Sequence, residues 1–327
     1  MKMHEVAKKM VARGKGILAI DESHGTCQKR FDALGVPCTE ETRRDYRGLL
    51  VSAPGIEHSV AGMILFDETI RQKNDDGVPF PEILRQKGII PGIKVDTGAK
   101  DLALFPGEKV TEGLDGLRER LAEYKNLGAG FAKWRAVITI GDDGRPTDGC
   151  LVANAHALAR YAALCQEADI VPMVEPEVLM DGDHSIEKCA EVTAKTLHIL
   201  FKHLRLLRVD LTATILKTSM IISGKDTPNR AGVSEVAEKT VKVLKENVPA
   251  ELAGVVFLSG GQSPEEATAH LNEMNKKYDL PWPLSFSYGR AIQQPALKAW
   301  AAGDREKAAE LLVFHADQNG KAATGSL

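Results

Sequence analysis

The chain has little that would place it outside the ordinary soluble proteins. No Cys-x-x-Cys pair occurs, and five scattered cysteines (Cys27, Cys38, Cys150, Cys165, Cys189) make an odd set unsuited to a disulfide framework. Free thiols in a reducing compartment are expected, and with them a cytoplasmic protein. Fifteen prolines in 327 residues, against 43% hydrophobic side chains, exclude a disordered or proline-rich chain and leave enough apolar surface for a large core. No run approaches the roughly 18 apolar residues of a membrane span. Residues 1–13 carry Lys2, Glu5, Lys8, Lys9 and Arg13 without an apolar stretch, which excludes a secretory signal and predicts an amphipathic opening helix. Neither sign of charge dominates. Forty-two Lys and Arg against 45 Asp and Glu leave a net charge of -3, so general attraction to nucleic acid or anionic lipid is excluded as a source of affinity. Any cationic site has to be local.

What is present is a rhythm. Short apolar runs recur at 16–21, 60–66, 89–96, 131–138, 170–178, 212–220, 254–260 and 284–290. Amphipathic stretches separate them, such as Leu151, Ala155, Leu158, Ala162 and Cys165, spaced to put one apolar stripe on one helix face. One helix start is explicit: Ser263 is followed by Pro264 at the first helical position and Glu266 three residues on, a capping box. Length alone allows two doubly wound domains. Eight strand–helix units without a linker or a shift in composition favour a single (β/α)8 barrel over residues 1–327, an α/β fold with an extra N-terminal helix. The small, polar stretch 318–327 is expected to be a mobile tail.

Strands buried on both faces should read as apolar, yet several of these runs end in ionisable residues. Period two puts Phe131, Lys133 and Arg135 on one face, Glu175 and Glu177 on another, and Lys217 with Ala213 and Ile215 on a third. Lys94 and Asp96 end the third run, while Asp21, Ser259 and Arg290 close the first, seventh and eighth. Isolated buried ions are unfavourable by many kcal/mol, so these must be paired or solvated. The carboxyl-terminal mouth of a barrel supplies that setting, and active sites of the fold lie there. Five cations against four acids suit a small anionic substrate. Gly260-Gly261 and Gly289, beside Arg290 and the Ser263 helix start, predict a phosphate site in the last two loops.

Lysines and carboxylates in one cavity point to imine chemistry. At an ordinary pKa near 10.4, roughly one lysine in 2,500 is neutral at pH 7. Lys133 and Lys217 would depress each other's protonation, and either could be the nucleophile. Glu175 or Glu177 would serve the proton transfers, and Asp21 is the free candidate for a base. No cofactor or metal is expected. Most histidines fall in helices or loops; only His24 and His184 follow strands, and Asp183 is expected to cap the helix after His184. Gly14-Lys15-Gly16-Ile17-Leu18-Ala19 has dinucleotide spacing but precedes a strand instead of following one. Trp134, Trp282 and Trp300 read as core or rim residues.

These residues resemble the class I, Schiff-base-forming fructose-bisphosphate aldolases. The matching stretches are Leu18-Ala19-Ile20-Asp21-Glu22-Ser23, Gly92-Ile93-Lys94-Val95-Asp96, Phe131-Ala132-Lys133-Trp134-Arg135, Val174-Glu175-Pro176-Glu177, Leu216-Lys217, Phe257-Leu258-Ser259-Gly260-Gly261-Gln262 and Phe286-Ser287-Tyr288-Gly289-Arg290. The resemblance implies a barrel that reversibly cleaves fructose 1,6-bisphosphate to dihydroxyacetone phosphate and glyceraldehyde 3-phosphate, in glycolysis and gluconeogenesis, commonly as a homo-tetramer. It implies Lys217 as the imine-forming lysine, Glu175 as the proton-transfer group, Glu177 and Lys133 in support, and Asp21 at the C4 hydroxyl. Ser259, Gly260, Gly289 and Arg290 match the C1-phosphate site, and Ser23, Lys94 and Arg135 the C6-phosphate end. Two alternatives stand beside it: a Schiff-base aldolase for another sugar phosphate, and a non-catalytic sugar-phosphate binder. Two stretches depart from the family pattern. Gly325-Ser326-Leu327 has no tyrosine, and Thr218-Ser219-Met220 replaces the familiar Pro-Asn-Met after the lysine.

Overall fold

Eight of the ten strands of the computed structural model, which describes residues 2–327, follow the apolar runs. The ten are β1 (Gly16–Ile20), β2 (Val60–Leu65), β3 (Ile90–Lys94), a short pair β4 (Gly98–Asp101) and β5 (Lys109–Glu112), then β6 (Phe131–Ile138), β7 (Val171–Val178), β8 (Ile215–Thr218), β9 (Gly254–Phe257) and β10 (Leu284–Tyr288). Eight of them form a closed parallel barrel in the order β1-β10-β9-β8-β7-β6-β3-β2, sealed where Ile17 pairs with Ser287. This is the expected (β/α)8 barrel. Every residue of β1, β2, β7 and β9 is buried because helices cover the outside and side chains fill the inside.

The two faces separate by parity. Ile17, Ala19, Ile64, Phe131, Met173, Ile215 and Val256 form an inner cluster, while Leu18, Ile20, Leu65, Trp134, Val174 and Leu216 pack outward against the helices. The opening helix Met3–Met10 turns Val6, Ala7 and Met10 into the inner cluster, and so closes the amino-terminal end of the barrel. Only the carboxyl-terminal end is left to open. In the same layer the Phe131 ring lies over Gly92, where a Cβ would come within 2.2 Å of it. The ring fills the space that glycine leaves.

Four details differ from the sequence reading. The antiparallel pair β4–β5 was not foreseen; it is polar and mostly exposed, so it lacks an apolar run. Leu211–Ala213 forms a 3-10 turn ahead of β8 instead of opening the strand, with Asp210 accepting from Thr212 N–H at 2.9 Å. Ser185, not Asp183, caps the helix Ile186–Leu206, its hydroxyl accepting from Lys188 N–H at 3.2 Å. Finally, the expected tail is helical as far as Ala322, in the helix Arg305–Ala322, where Asn319, Gly320 and Ala322 are buried. Beyond it, Leu327 N–H donates to Asn272 Oδ1 at 3.0 Å, and Thr324 lies beside Gly14, which precedes β1. These last residues are therefore docked away from the mouth.

Candidate active site

All twelve residues that the resemblance assigns to the site line one cavity of about 590 Å3 at the carboxyl ends of the strands. Those at the ends of β1, β3, β6, β7 and β8 reach it because strand parity continues past the apolar layer, whereas Ser23, Ser259, Gly260, Gly289 and Arg290 lie in the turns and helix starts beyond the strands. Lys133 lies two residues beyond Phe131, Glu175 two beyond Met173 and Lys217 two beyond Ile215. Asp21 follows directly on β1.

Glu175 stands at the centre. Its Oε1 is 3.0 Å from Lys217 Nζ and its Oε2 is 3.1 Å from Lys133 Nζ, with all three side chains buried. Lys133 Nζ also lies 2.7 Å from Asp21 Oδ2. The two lysines are thus unequal: Lys133 has two carboxylates and Lys217 one. Burial raises the Asp21 pKa, but the charges of Lys133 and Lys217 outweigh it and bring the carboxyl down to about 2. Burial likewise pushes Lys133 down, yet Asp21 and Glu175 hold its ammonium well above the usual lysine range. The expectation that the two lysines depress each other therefore fails for Lys133. The intervening carboxylates dominate, and Lys133 is a fixed cation. Glu175 is itself lowered, because Lys133 and Lys217 override the effect of its burial.

One side of the cavity holds Lys94, whose Nζ is 2.6 Å from Asp96 Oδ1, and Arg135, paired with Glu177. Ser23 precedes the helix His24–Asp32, with its hydroxyl 3.2 Å from that of Thr26. On the other side Gln262 N–H donates to Ser259 O at 3.0 Å, closing a turn. The backbone N–H groups of Ser259, Gly260 and Gly261 find no acceptor among the described residues. Three free donors at the start of the capped helix Pro264–Lys277 make a seat for an anion. Arg290, exposed at the first position of the helix Arg290–Ala301, is in no ion pair with the described residues.

The sequence reading missed several residues of the wall: Glu22, Thr26, Arg30, Asp67, Arg120 and Tyr124. Glu22 Oε1 accepts from Arg30 Nη1 at 2.6 Å, and Arg120 caps the carbonyls of Val95 and Gly113. Only Glu22 adjoins a residue already singled out. The others sit in helices whose polar faces are indistinguishable from solvated ones. No histidine lines the cavity. His24 lies 3.2 Å from Glu68 Oε2, and neither ring nitrogen of the partly buried His184 has a partner. Among the described residues no group of three or more His, Cys, Asp or Glu side chains is placed to hold a metal ion, and no helix is long and apolar enough to cross a membrane. Trp134, Trp282 and Trp300 are buried in packing roles, and all five cysteines are free thiols. The Thr218-Ser219 departure leaves the lysine in place, with Ser219 Oγ donating to Val178 O at 2.9 Å and so tying the ends of β7 and β8.

Comparison with known proteins gives the family and the fold. The sequence model of the family described as fructose-bisphosphate aldolase class-I matches residues 2–327. The "Probable fructose-bisphosphate aldolase class 1" of Xanthomonas campestris pv. campestris is 61% identical over 324 residues, covering 98% of this chain and 97% of that relative. Fructose-bisphosphate aldolase C-B of Danio rerio is 48% identical over 327 residues, covering 99% of this chain and 90% of that relative. Among solved structures, fructose-bisphosphate aldolase from Plasmodium falciparum, in complex with TRAP and a small-molecule inhibitor, superposes with a TM-score of 0.97. It is 46% identical and covers 99% of this chain and 94% of that one.

Proposed function

The chain belongs to the class-I fructose-bisphosphate aldolase family, and from that premise we propose how its residues divide the work. The reaction is the reversible cleavage of fructose 1,6-bisphosphate to dihydroxyacetone phosphate and glyceraldehyde 3-phosphate through a lysine Schiff base. Lys217 Nζ attacks the C2 carbonyl of the open-chain sugar. Glu175, a carboxylate 3.0 Å from that nitrogen, takes the two protons the nitrogen sheds, one before the attack and one after it, and relays each to the former carbonyl oxygen, which leaves as water. The protonated imine then draws electrons from the C3–C4 bond. Asp21 takes the proton from the C4 hydroxyl, the bond breaks, and glyceraldehyde 3-phosphate departs. Protonation of the remaining enamine at C3 and hydrolysis of the imine release dihydroxyacetone phosphate and restore Lys217. Lys133 stays protonated throughout and holds Asp21 and Glu175 as carboxylates until each takes its proton, while Glu177 steadies Arg135. Ser259, Gly260, Gly289 and Arg290 receive the C1 phosphate; Ser23, Lys94 and Arg135 receive the C6 phosphate.

The observation that carries this reading is the inequality of the two lysines, one locked between two carboxylates and the other against a single oxygen of Glu175. It also speaks against a non-catalytic binder, which has no use for two buried amines sharing one acid. Borohydride reduction in the presence of dihydroxyacetone phosphate, followed by peptide mass mapping, should place the adduct on Lys217. An adduct on Lys133 would reverse the assignment.

A cytoplasmic role in glycolysis and gluconeogenesis belongs to the same proposal, as does a homo-oligomer, commonly a tetramer in the family. The exposed apolar side chains of Leu206 and Phe314 are surfaces that such an assembly could cover.

A further inference from the structure

His270 has taken no part in the chemistry above, yet it is buried on the helix Pro264–Lys277, two turns from the anion-binding turn. Its Nδ1 lies 2.7 Å from Oε1 of Gln262, itself almost fully buried. An amide oxygen only accepts, so Nδ1 carries the proton and donates. Burial pushes the imidazole down to about 4, with Glu266 of the same helix acting against that and Arg230 of the preceding loop adding to it. Glu266 and Arg230 are paired to each other at 3.2 Å. The ring is therefore neutral near pH 7, and its bond to Gln262 is not in competition with an ion pair of its own.

Gln262 is the last residue of the turn. Its N–H closes the turn onto Ser259 O. At the third position Gly261 has φ +67, as a type II turn requires, and a Cβ there would fall 1.3 Å from Met180 Sδ. The turn is thus held by the main chain on one side and Met180 on another. The His270–Gln262 bond is the side-chain link that ties its end to the second turn of the helix behind it.

We propose that His270 is a positioning residue for the phosphate-binding turn, acting through Gln262 to hold the amides of Ser259, Gly260 and Gly261 where they meet the C1 phosphate. The inference rests on the assignment of that turn to the C1 phosphate, and it assigns binding of one triose phosphate, not the other, to a residue outside the cavity. Dihydroxyacetone phosphate carries that phosphate; glyceraldehyde 3-phosphate does not.

The test is the condensation reaction with each triose phosphate varied in turn. His270→Ala should raise KM for dihydroxyacetone phosphate about five- to tenfold, the effect of one neutral hydrogen bond, while KM for glyceraldehyde 3-phosphate and kcat stay within about twofold. Gln262→Ala should do the same, and the double variant should be no worse than either single one, because both remove one link. His270→Gln keeps an N–H donor and should recover part of the loss. A fall in kcat with both KM values intact is the mark of a merely structural role and overturns the proposal. Arg290→Ala is the control. If it raises KM for dihydroxyacetone phosphate and His270→Ala does not, the proposal falls and the phosphate assignment stands. If neither variant raises it, the assignment itself falls and the proposal goes with it.

Discussion

At the scale of single residues the site turns on which charge faces which. Asp21 is ionised at every ordinary pH because Lys133 and Lys217 outweigh its burial and bring its pKa to about 2. A carboxyl with a depressed pKa titrates only as pH falls toward that value. Any loss of wild-type rate on lowering the pH toward about 5 should therefore come from another group. Asp21→Asn should lower kcat by about 10^2 to 10^4, the range for loss of a general base, and the ratio to wild type should stay flat from about pH 5 to 9. A ratio that narrows toward pH 5 would mean that Asp21 titrates there and that the Lys133 contact does not hold in solution. The residues themselves were largely legible: strand ends that should be apolar carried charge, and all twelve proposed positions line the cavity. What could not be read was the difference between Lys133 and Lys217. It depends on Asp21, at the end of β1, meeting a side chain of β6, and nothing local to either residue encodes that contact. His270 was passed over for a related reason, since a buried histidine on a helix looks the same whether it fills space or holds a loop.

Elements were legible where an apolar run or a capping pattern marks them. The eight barrel strands answer to eight runs, and the Ser263 capping box is formed, with Glu266 N–H donating to Ser263 Oγ at 3.1 Å and Ser263 N–H donating to Glu266 Oε2 at 2.9 Å. Ser263→Ala should destabilise the chain by about 1 kcal/mol in chemical denaturation. The β4–β5 pair escaped because its stability comes from backbone pairing across a polar loop, and the cap at Ser185 because Asp183 offers the same chemistry two residues earlier. The fit between elements escaped altogether. Gly92 reads as a weak point in a strand, but it is the floor beneath Phe131. Gly92→Ala should overpack the barrel interior and destabilise by about 1–3 kcal/mol, measured by urea titration. Phe131→Leu, made on top of it, should restore part of the loss. If the double variant is no more stable than Gly92→Ala alone, the two side chains do not share that space.

Over the whole molecule, closure of the barrel sorts charge that composition reports as nearly balanced. The chain is acidic by three units, yet seven cationic side chains line the cavity against six carboxylates. Most of these cations are already paired: Lys94 with Asp96, Arg135 with Glu177, Arg30 with Glu22, and Lys133 and Lys217 with Glu175. Arg290 and Arg120 are the exceptions: Arg290 is exposed, and Arg120 is half-buried and bonded to the carbonyls of Val95 and Gly113. An arriving bisphosphate thus meets the unpaired charge of the exposed Arg290, while Lys217, the lysine proposed to form the imine, is buried. Attraction at the rim acts through solvent and is screened over a Debye length of about 10 Å at 0.1 M salt; the contacts around Glu175 are buried and screened far less. Raising salt from about 0.05 to 0.5 M should therefore lower kcat/KM for fructose 1,6-bisphosphate severalfold while kcat changes little, and Arg290→Ala should flatten that dependence. If kcat falls in step with kcat/KM, salt is reaching the buried ion pairs. The separation between a screened rim and a protected centre would then be wrong.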